Sequence, residues 1–314
     1  MNARLLISCL VCGLGAMRLA AQQQPDATST ITVTTRIVAV DAIVRDAAGE
    51  RLMNLDKDAF TLKVDGKPTP IRYFNRDNDL PLTIGILVDT SGSQRVYFDE
   101  EALNAENFLT ATLTQPKDRA QIALFDTRVV LLQPLTSRLN ELRNALRRLD
   151  YVDTSTQGRT LLYDAIAAFS KSFASTEPGR HALVILTDGE DNGSRASRDD
   201  AVHQAQLADV AVYSVLYTGE MIGTTLYPAT PGHLSGVTIM QEISKATGGR
   251  AFVVGAGTPI ATIFAEIEQD LRSQYRFGFT PPPTSKPGKV HSIDLRTADK
   301  HQIIQARRGF YTPQ

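Results

Sequence analysis

The run "LTIGILVDTSGSQ", residues 82–94, is apolar until it meets one aspartate and two serines, Asp89, Ser91 and Ser93. Two further places set oxygen-bearing side chains beside apolar runs: Thr160 in "TQGRTLLYDAI" and Asp188 in "VILTDGEDNGS". Carboxylates and hydroxyls are hard oxygen donors. Gathered at one point they suit a hard cation; taken singly, each suits a turn or a helix cap. The choice depends on whether the fold brings the three segments together.

From residue 81 to about 274, short apolar runs ("LTIGILVD", "AQIALFD", "HALVILTD", "VAVYSVLY", "RAFVV") alternate with helical patterns. The candidate helices lie around 97–114, 137–149, 160–174, 197–208, 237–247 and 258–273. Continuous apolar strands separated by amphipathic helices predict an α/β fold: a doubly wound, Rossmann-like, mainly parallel sheet covered on both faces. "TRVVLLQPL" follows a strand with almost no connector, which predicts one antiparallel edge strand. In open sheets of this kind, ligands bind beyond the carboxyl ends of the strands, near the point where strand order reverses. Asp89 and Asp188 each close a strand, and Thr160 opens a helix.

The flanks read differently. Val38, Val40, Ala42 and Val44 alternate, as do Phe60, Leu62 and Val64; Asp65-Gly66 is a tight turn, with Ile71 and Tyr73 beginning the return strand. After the α/β segment, Tyr275, Phe277 and Phe279 alternate, the Pro-rich "TPPPTSKPGK" turns, and "HSIDLRT" and "IIQARRGFY" read as strands. Neither flank is large enough to bury a core alone. Residues 31–78 and 275–312 are therefore expected to pair as a small all-β domain, with the α/β domain, 81–274, inserted between them.

The first residues carry a different signal. Arg4, the apolar "LLISCLVCGLGAM" and the small residues Ala20 and Ala21 read as an export signal over 1–21, followed by a flexible lead-in over 22–30. A retained anchor is the alternative, although the apolar core is short for a span. Leu6-Ile7-Ser8-Cys9 faintly resembles a lipoprotein processing site but lies too early. Both cysteines, Cys9 and Cys12, fall in this segment, so the mature chain is expected to have no disulfide, thiolate metal site or catalytic cysteine. No internal stretch approaches the length of a membrane span. The formal net charge of -1 argues against nucleic acid as the main partner, because phosphate binding needs a concentrated basic face.

Taken together, Asp89-x-Ser91-x-Ser93, Thr160, and Asp188 in a Thr-Asp-Gly turn resemble the metal-ion-dependent adhesion site of von Willebrand factor type A (VWFA) domains, over roughly residues 81–274. "GRTLLYDA" and "TGGRAF" are similar to the sequence around those motifs. The flanking "DAFTLKVDGKPTPIRYF" and "LRSQYRFGFTP…ARRGFYTP" resemble the VWFA-related family of exported bacterial proteins. The resemblance implies that the hydroxyls of Ser91, Ser93 and Thr160 touch the ion. Asp89 and Asp188 would act largely through water, with Asp188 direct in another state. All these ligands are oxygens and no Cys or His competes nearby, which favours Mg²⁺ or Mn²⁺ over zinc. Such an ion is under-neutralised, and its open position suits a Glu or Asp from a partner. Asp164, Glu190 and Asp191 are candidates for an outer shell; the plainer reading of each is a helix-surface or solvated-loop charge. Asp126, in "FDT", reads as a turn or cap, and Asn192-Gly193-Ser194 matches a glycosylation sequon that means little by itself.

The function expected is a non-enzymatic, metal-dependent binding and adhesion module. It would be exported to the periplasm or secreted, taking a protein or extracellular polymer that presents an acidic residue. No histidine sits in the five-position cluster for general-base work, and no nucleophile is paired with one. His181, His203, His233 and His291 read as surface or capping residues. The alternatives are a metal-dependent hydrolase and a structural envelope protein whose ion only stabilises its loops. In related domains the last helix can shift; here it spans about 258–273 and runs straight into "QYRFGF", a route from ion to flank.

Overall fold

The computed structural model describes residues 37–76, 80–149, 158–173, 176, 178–217, 235–255, 257–281 and 288–312. The export segment, the lead-in, His233, the polar loop before Gly158 and most of the Pro-rich turn lie outside these residues.

Among these residues four strands come first: β1 (Val38–Arg45), β2 (Phe60–Val64), β3 (Lys67–Pro68) and β4 (Tyr73–Asn75). Six strands then make the large sheet: β5 (Leu82–Asp89), β6 (Arg119–Phe125), β7 (Val129–Thr136), β8 (Arg180–Thr187), β9 (Val210–Leu216) and β10 (Ala251–Val253). Their order is β10-β9-β8-β5-β6-β7, and every pairing is parallel except β6 with β7. Between them run α1 (Phe98–Thr112), α2 (Leu139–Leu146), α3 (Leu162–Phe173), α4 (Arg198–Leu207), α5 (Gly236–Thr247) and α6 (Ile260–Arg272). This is the doubly wound sheet with one antiparallel edge that the apolar runs predict.

Central β5 shows why both faces must be covered. All eight of its residues are buried. Leu82, Ile84, Ile86 and Val88 enter the layer shared with α1, α2 and α6, whereas Leu87 enters the layer shared with α3, α4 and α5. Each fully buried Leu or Ile contributes roughly 1.5–3 kcal/mol by leaving water, so this strand anchors both layers. Gly85 lies on the second face because a Cβ there would stand 2.5 Å from a Leu183 methyl.

The flanks supply β11 (Tyr275–Phe279), β12 (Val290–Thr297), β13 (Ile303–Ala306) and β14 (Gly309–Tyr311). They interleave with the early strands in two antiparallel sheets, β13-β1-β11-β4 and β14-β12-β2-β3. Val40, Phe60, Leu62, Val64, Tyr275, Phe277 and Phe310 share one core. Both flanks are thus needed to build it.

Two expectations change here. The return strand after Asp65-Gly66 is only Lys67–Pro68; Tyr73 leaves it and pairs with Gly278 in the other sheet. A tight turn fixes only its immediate partners, and the apolar face of β11 captures the rest. His291 is not a surface residue: it is 1% exposed, with Nδ1 2.7 Å from Asp65 Oδ2 and Nε2 3.0 Å from Thr312 Oγ1.

The α/β layer is bound to the flank sheets at the end of α6. Asp270 is fully buried and ion-paired with Arg45 and Arg51 of the first flank and with Arg250. Arg272 pairs with buried Asp118, and Arg180 donates to the carbonyls of Leu271 (3.0 Å) and Gln274 (3.1 Å). The last helix therefore ends in a clamp of charge-assisted bonds.

Candidate functional site

Strand parity assembles the site. Thr83, Gly85, Leu87 and Asp89 point to one face of β5; Leu183, Ile185 and Thr187 occupy the matching positions of β8. Val88 stands opposite Leu186, so Asp89 and Thr187 meet at the carboxyl ends of both strands. Beyond this point the chain leaves β5 toward β6 and leaves β8 toward β9, in opposite directions. That divergence opens a crevice.

Asp89 is fully buried. Ser91 N donates to its Oδ1 (2.9 Å) and Thr187 Oγ1 to its Oδ2 (2.7 Å). Ser91 Oγ and Ser93 Oγ lie 3.1 Å apart, and Ser93 Oγ donates to Asp188 Oδ2 (2.7 Å). Gln94 Nε2 reaches the same Asp188 oxygen at 3.2 Å, and Glu190 N donates to Asp188 Oδ1 at 3.0 Å. Asp89, Ser91, Ser93 and Asp188 are therefore one hydrogen-bonded group.

Thr160 joins through its loop. Its side chain is buried, and its N–H donates to Asn192 Oδ1 (2.6 Å) on the segment after β8. Leu161 N donates to Asp126 O (2.9 Å), tying the same loop to the end of β6. Thr160 makes no hydrogen bond to the other four among those described. The carboxylates of the three outer candidates bond to these loops and not to the group itself. Asp164 accepts from Arg195 N and Ala196 N, Asp191 from Tyr163 N and Ser194 N, and Glu190 from Gly236 N at the start of α5. Asp126 accepts from Arg128 N (3.1 Å), the turn its "FDT" context suggests.

Burial, reinforced by the neighbouring Asp188 charge, pushes the Asp89 carboxyl up from an ordinary 3.8 to about 7. A desolvated acid held beside a second acid and three hydroxyls suits a hard cation, which would offset both charges. Among the described residues no three His, Cys, Asp or Glu side chains cluster, so a nitrogen- or thiolate-rich site is not formed there.

Sequence reading missed Gln94, Thr187 and Asn192, all of which hold the group in place. Thr187 carries a usable signal, since it is the polar residue that closes the apolar run Ala182–Leu186 of β8. Gly189 has a φ of +84°, and a Cβ there would lie 2.6 Å from Gly236 O. Gly189→Ala is therefore expected to lower stability by about 2 kcal/mol or more, measured by urea unfolding, because it must part the Asp188 turn from α5.

The family model for the von Willebrand factor type A domain matches residues 83–261. A comparison with curated proteins gave no match. Among solved structures, the conserved hypothetical protein BatB from Bacteroides thetaiotaomicron is 19% identical, with 60% of this chain and 97% of that one covered at a TM-score of 0.47. The vWF domain of the type V pili tip protein Mfa5 from Porphyromonas gingivalis is 10% identical, with 61% and 95% covered at 0.44. Proximal thread matrix protein 1 from the mussel byssus is 12% identical, with 61% and 48% covered at 0.48. With a match that spans more than half of its 314 residues, the chain belongs to the von Willebrand factor type A domain family.

Proposed function

We propose that this protein is an exported, metal-ion-dependent interaction module. Asp89, Ser91, Ser93, Thr160 and Asp188 would hold Mg²⁺ or Mn²⁺ at the carboxyl edge of the sheet, and an acidic side chain of a partner protein or extracellular polymer would complete the ion's shell. Bound there, the cation supplies an electropositive point that the surrounding hydroxyls leave only partly neutralised. The observation that carries this reading is the bonded group of two carboxylates and two serine hydroxyls, with Asp89 fully desolvated. Membership of the family supports the role in interaction. The charged, apolar and small-residue order of residues 1–21 supports export, to the periplasm or beyond. No helix among the described residues is long and apolar enough to cross a membrane.

Binding of ion and acid should be reciprocal, because each completes the other's site. Mn²⁺ is therefore expected to bind about fivefold or more tightly when a glutamate-bearing peptide is present at saturation. An isosteric glutamine peptide should have no effect. Equal Mn²⁺ affinity with both peptides would leave the ion a purely structural one.

A further inference from the structure

Beneath the group just described lies a second set of oxygens. Gln94, Tyr97 and Glu101 follow one another at i, i+3 and i+7 along the 3-10 turn that leads into α1, so they share one face. All three are buried, at 1%, 7% and 0% exposure. Tyr217, just after β9, stacks on Tyr97 with ring centroids 4.3 Å apart. Gln94 Oε1, Tyr97 Oη, both Glu101 carboxylate oxygens and Tyr217 Oη are buried without a hydrogen-bond partner. Folded interiors leave few such atoms, and five on neighbouring side chains call for a ligand. Gln94 marks the boundary: its nitrogen serves Asp188, while its oxygen has no partner.

A buried carboxylate without a partner must take up a proton or face a cation. A proton on Glu101 would let it donate to one neighbouring oxygen and would leave the remaining ones without a partner. The donor set holds only oxygens and one negative charge. That composition matches a monovalent alkali cation, neutralised by the single carboxylate and wrapped by the amide and phenol oxygens. We propose that Gln94, Tyr97, Glu101 and Tyr217 bind a potassium or sodium ion between α1 and the sheet, at a site separate from the divalent cradle. With no cation beside it, burial and the charge of Asp89 push the Glu101 carboxyl well above the ordinary range; a cation lets it ionise. The ion would pin the first turn of α1, and with it the loop that delivers Ser91 and Ser93.

The test is thermal unfolding of the full chain in EDTA, which keeps divalent ions out, in KCl, NaCl or choline chloride at one ionic strength. An alkali cation is expected to raise Tm by about 3–6 °C over choline, and Glu101→Gln should abolish that difference while remaining folded. Equal Tm in all three salts would overturn the proposal. So would a cation-dependent rise that survives in Glu101→Gln, or a Glu101→Gln protein matching a salt-insensitive wild type, which would mean that Glu101 only stores a proton. Because EDTA is present throughout, none of these outcomes bears on the divalent site.

Discussion

Replacing Asp270 by alanine is expected to cost about 3–5 kcal/mol of folding stability, measured by urea unfolding at neutral pH. Its carboxylate is fully buried and receives Arg51 Nε (2.9 Å) and Nη2 (2.6 Å), Arg250 Nη1 (3.4 Å) and an Arg45 guanidinium nitrogen. The side chains of Arg45 and Arg51 are only 11% and 18% exposed, so both would be left as poorly solvated, unpaired charges. Removing one partner of a buried pair costs far more than the pair itself contributes. The matched control is Asp294→Ala, which breaks the exposed pair with Arg296 and should cost less than about 1 kcal/mol. Similar small losses in both variants would mean that the α6 terminus is not a clamp. The same residues bear on the expected route from ion to flank: a helix held at its end by three arginines can move only with the flank sheets.

Asp89 is expected to make the metal-free protein less stable as pH rises from about 4 to about 7. Asp89 has its folded pKa raised to about 7, so the native state keeps this proton where the unfolded chain has lost it. The unfolded chain then binds fewer protons, and the share of stability that Asp89 contributes falls with rising pH across that window, by roughly 4 kcal/mol at most. Burial is the larger cause and the Asp188 charge the smaller, so a divalent cation in the cradle should flatten the profile. Asp89→Asn should remove this share of the slope even without metal, because the amide has no proton to lose. Urea midpoints in EDTA at several pH values measure it. Equal slopes in the metal-free wild type and Asp89→Asn, both folded throughout, would contradict the electrostatics assigned to Asp89.

The sheet was legible because β5, β8 and β9 are apolar runs too short and too continuous for surface helices, and because β5 and β8 close on polar residues, Asp89 and Thr187. That grammar also located Asp89 and Asp188. It could not say that Thr187 would bond to Asp89, since that contact depends on the register of two strands far apart in sequence. In the flanks, Tyr73 was misread because local alternation specifies a face and not a partner strand. His291 was misread for a related reason: nothing local reveals that Asp65, 226 residues away, stands beside it. Glu101 did leave a trace. It falls on the same helical face as Ala105, Phe108 and Thr112, all buried, so a charge there contradicts the apolar stripe of α1. Such local contradictions tend to fall at functional positions.

The measurement that bears most directly on the proposed cation cradle is a Mn²⁺ titration of the chain from residue 22, with free ion followed by electron paramagnetic resonance. Thr160→Ala and Asp188→Ala proteins should be titrated beside the wild type. One site per chain in the wild type, lost in both variants while their circular dichroism stays that of a folded protein, is the expected result. No site in folded wild type, even with acetate added to fill the open position, would contradict it, as would a site that survives both substitutions.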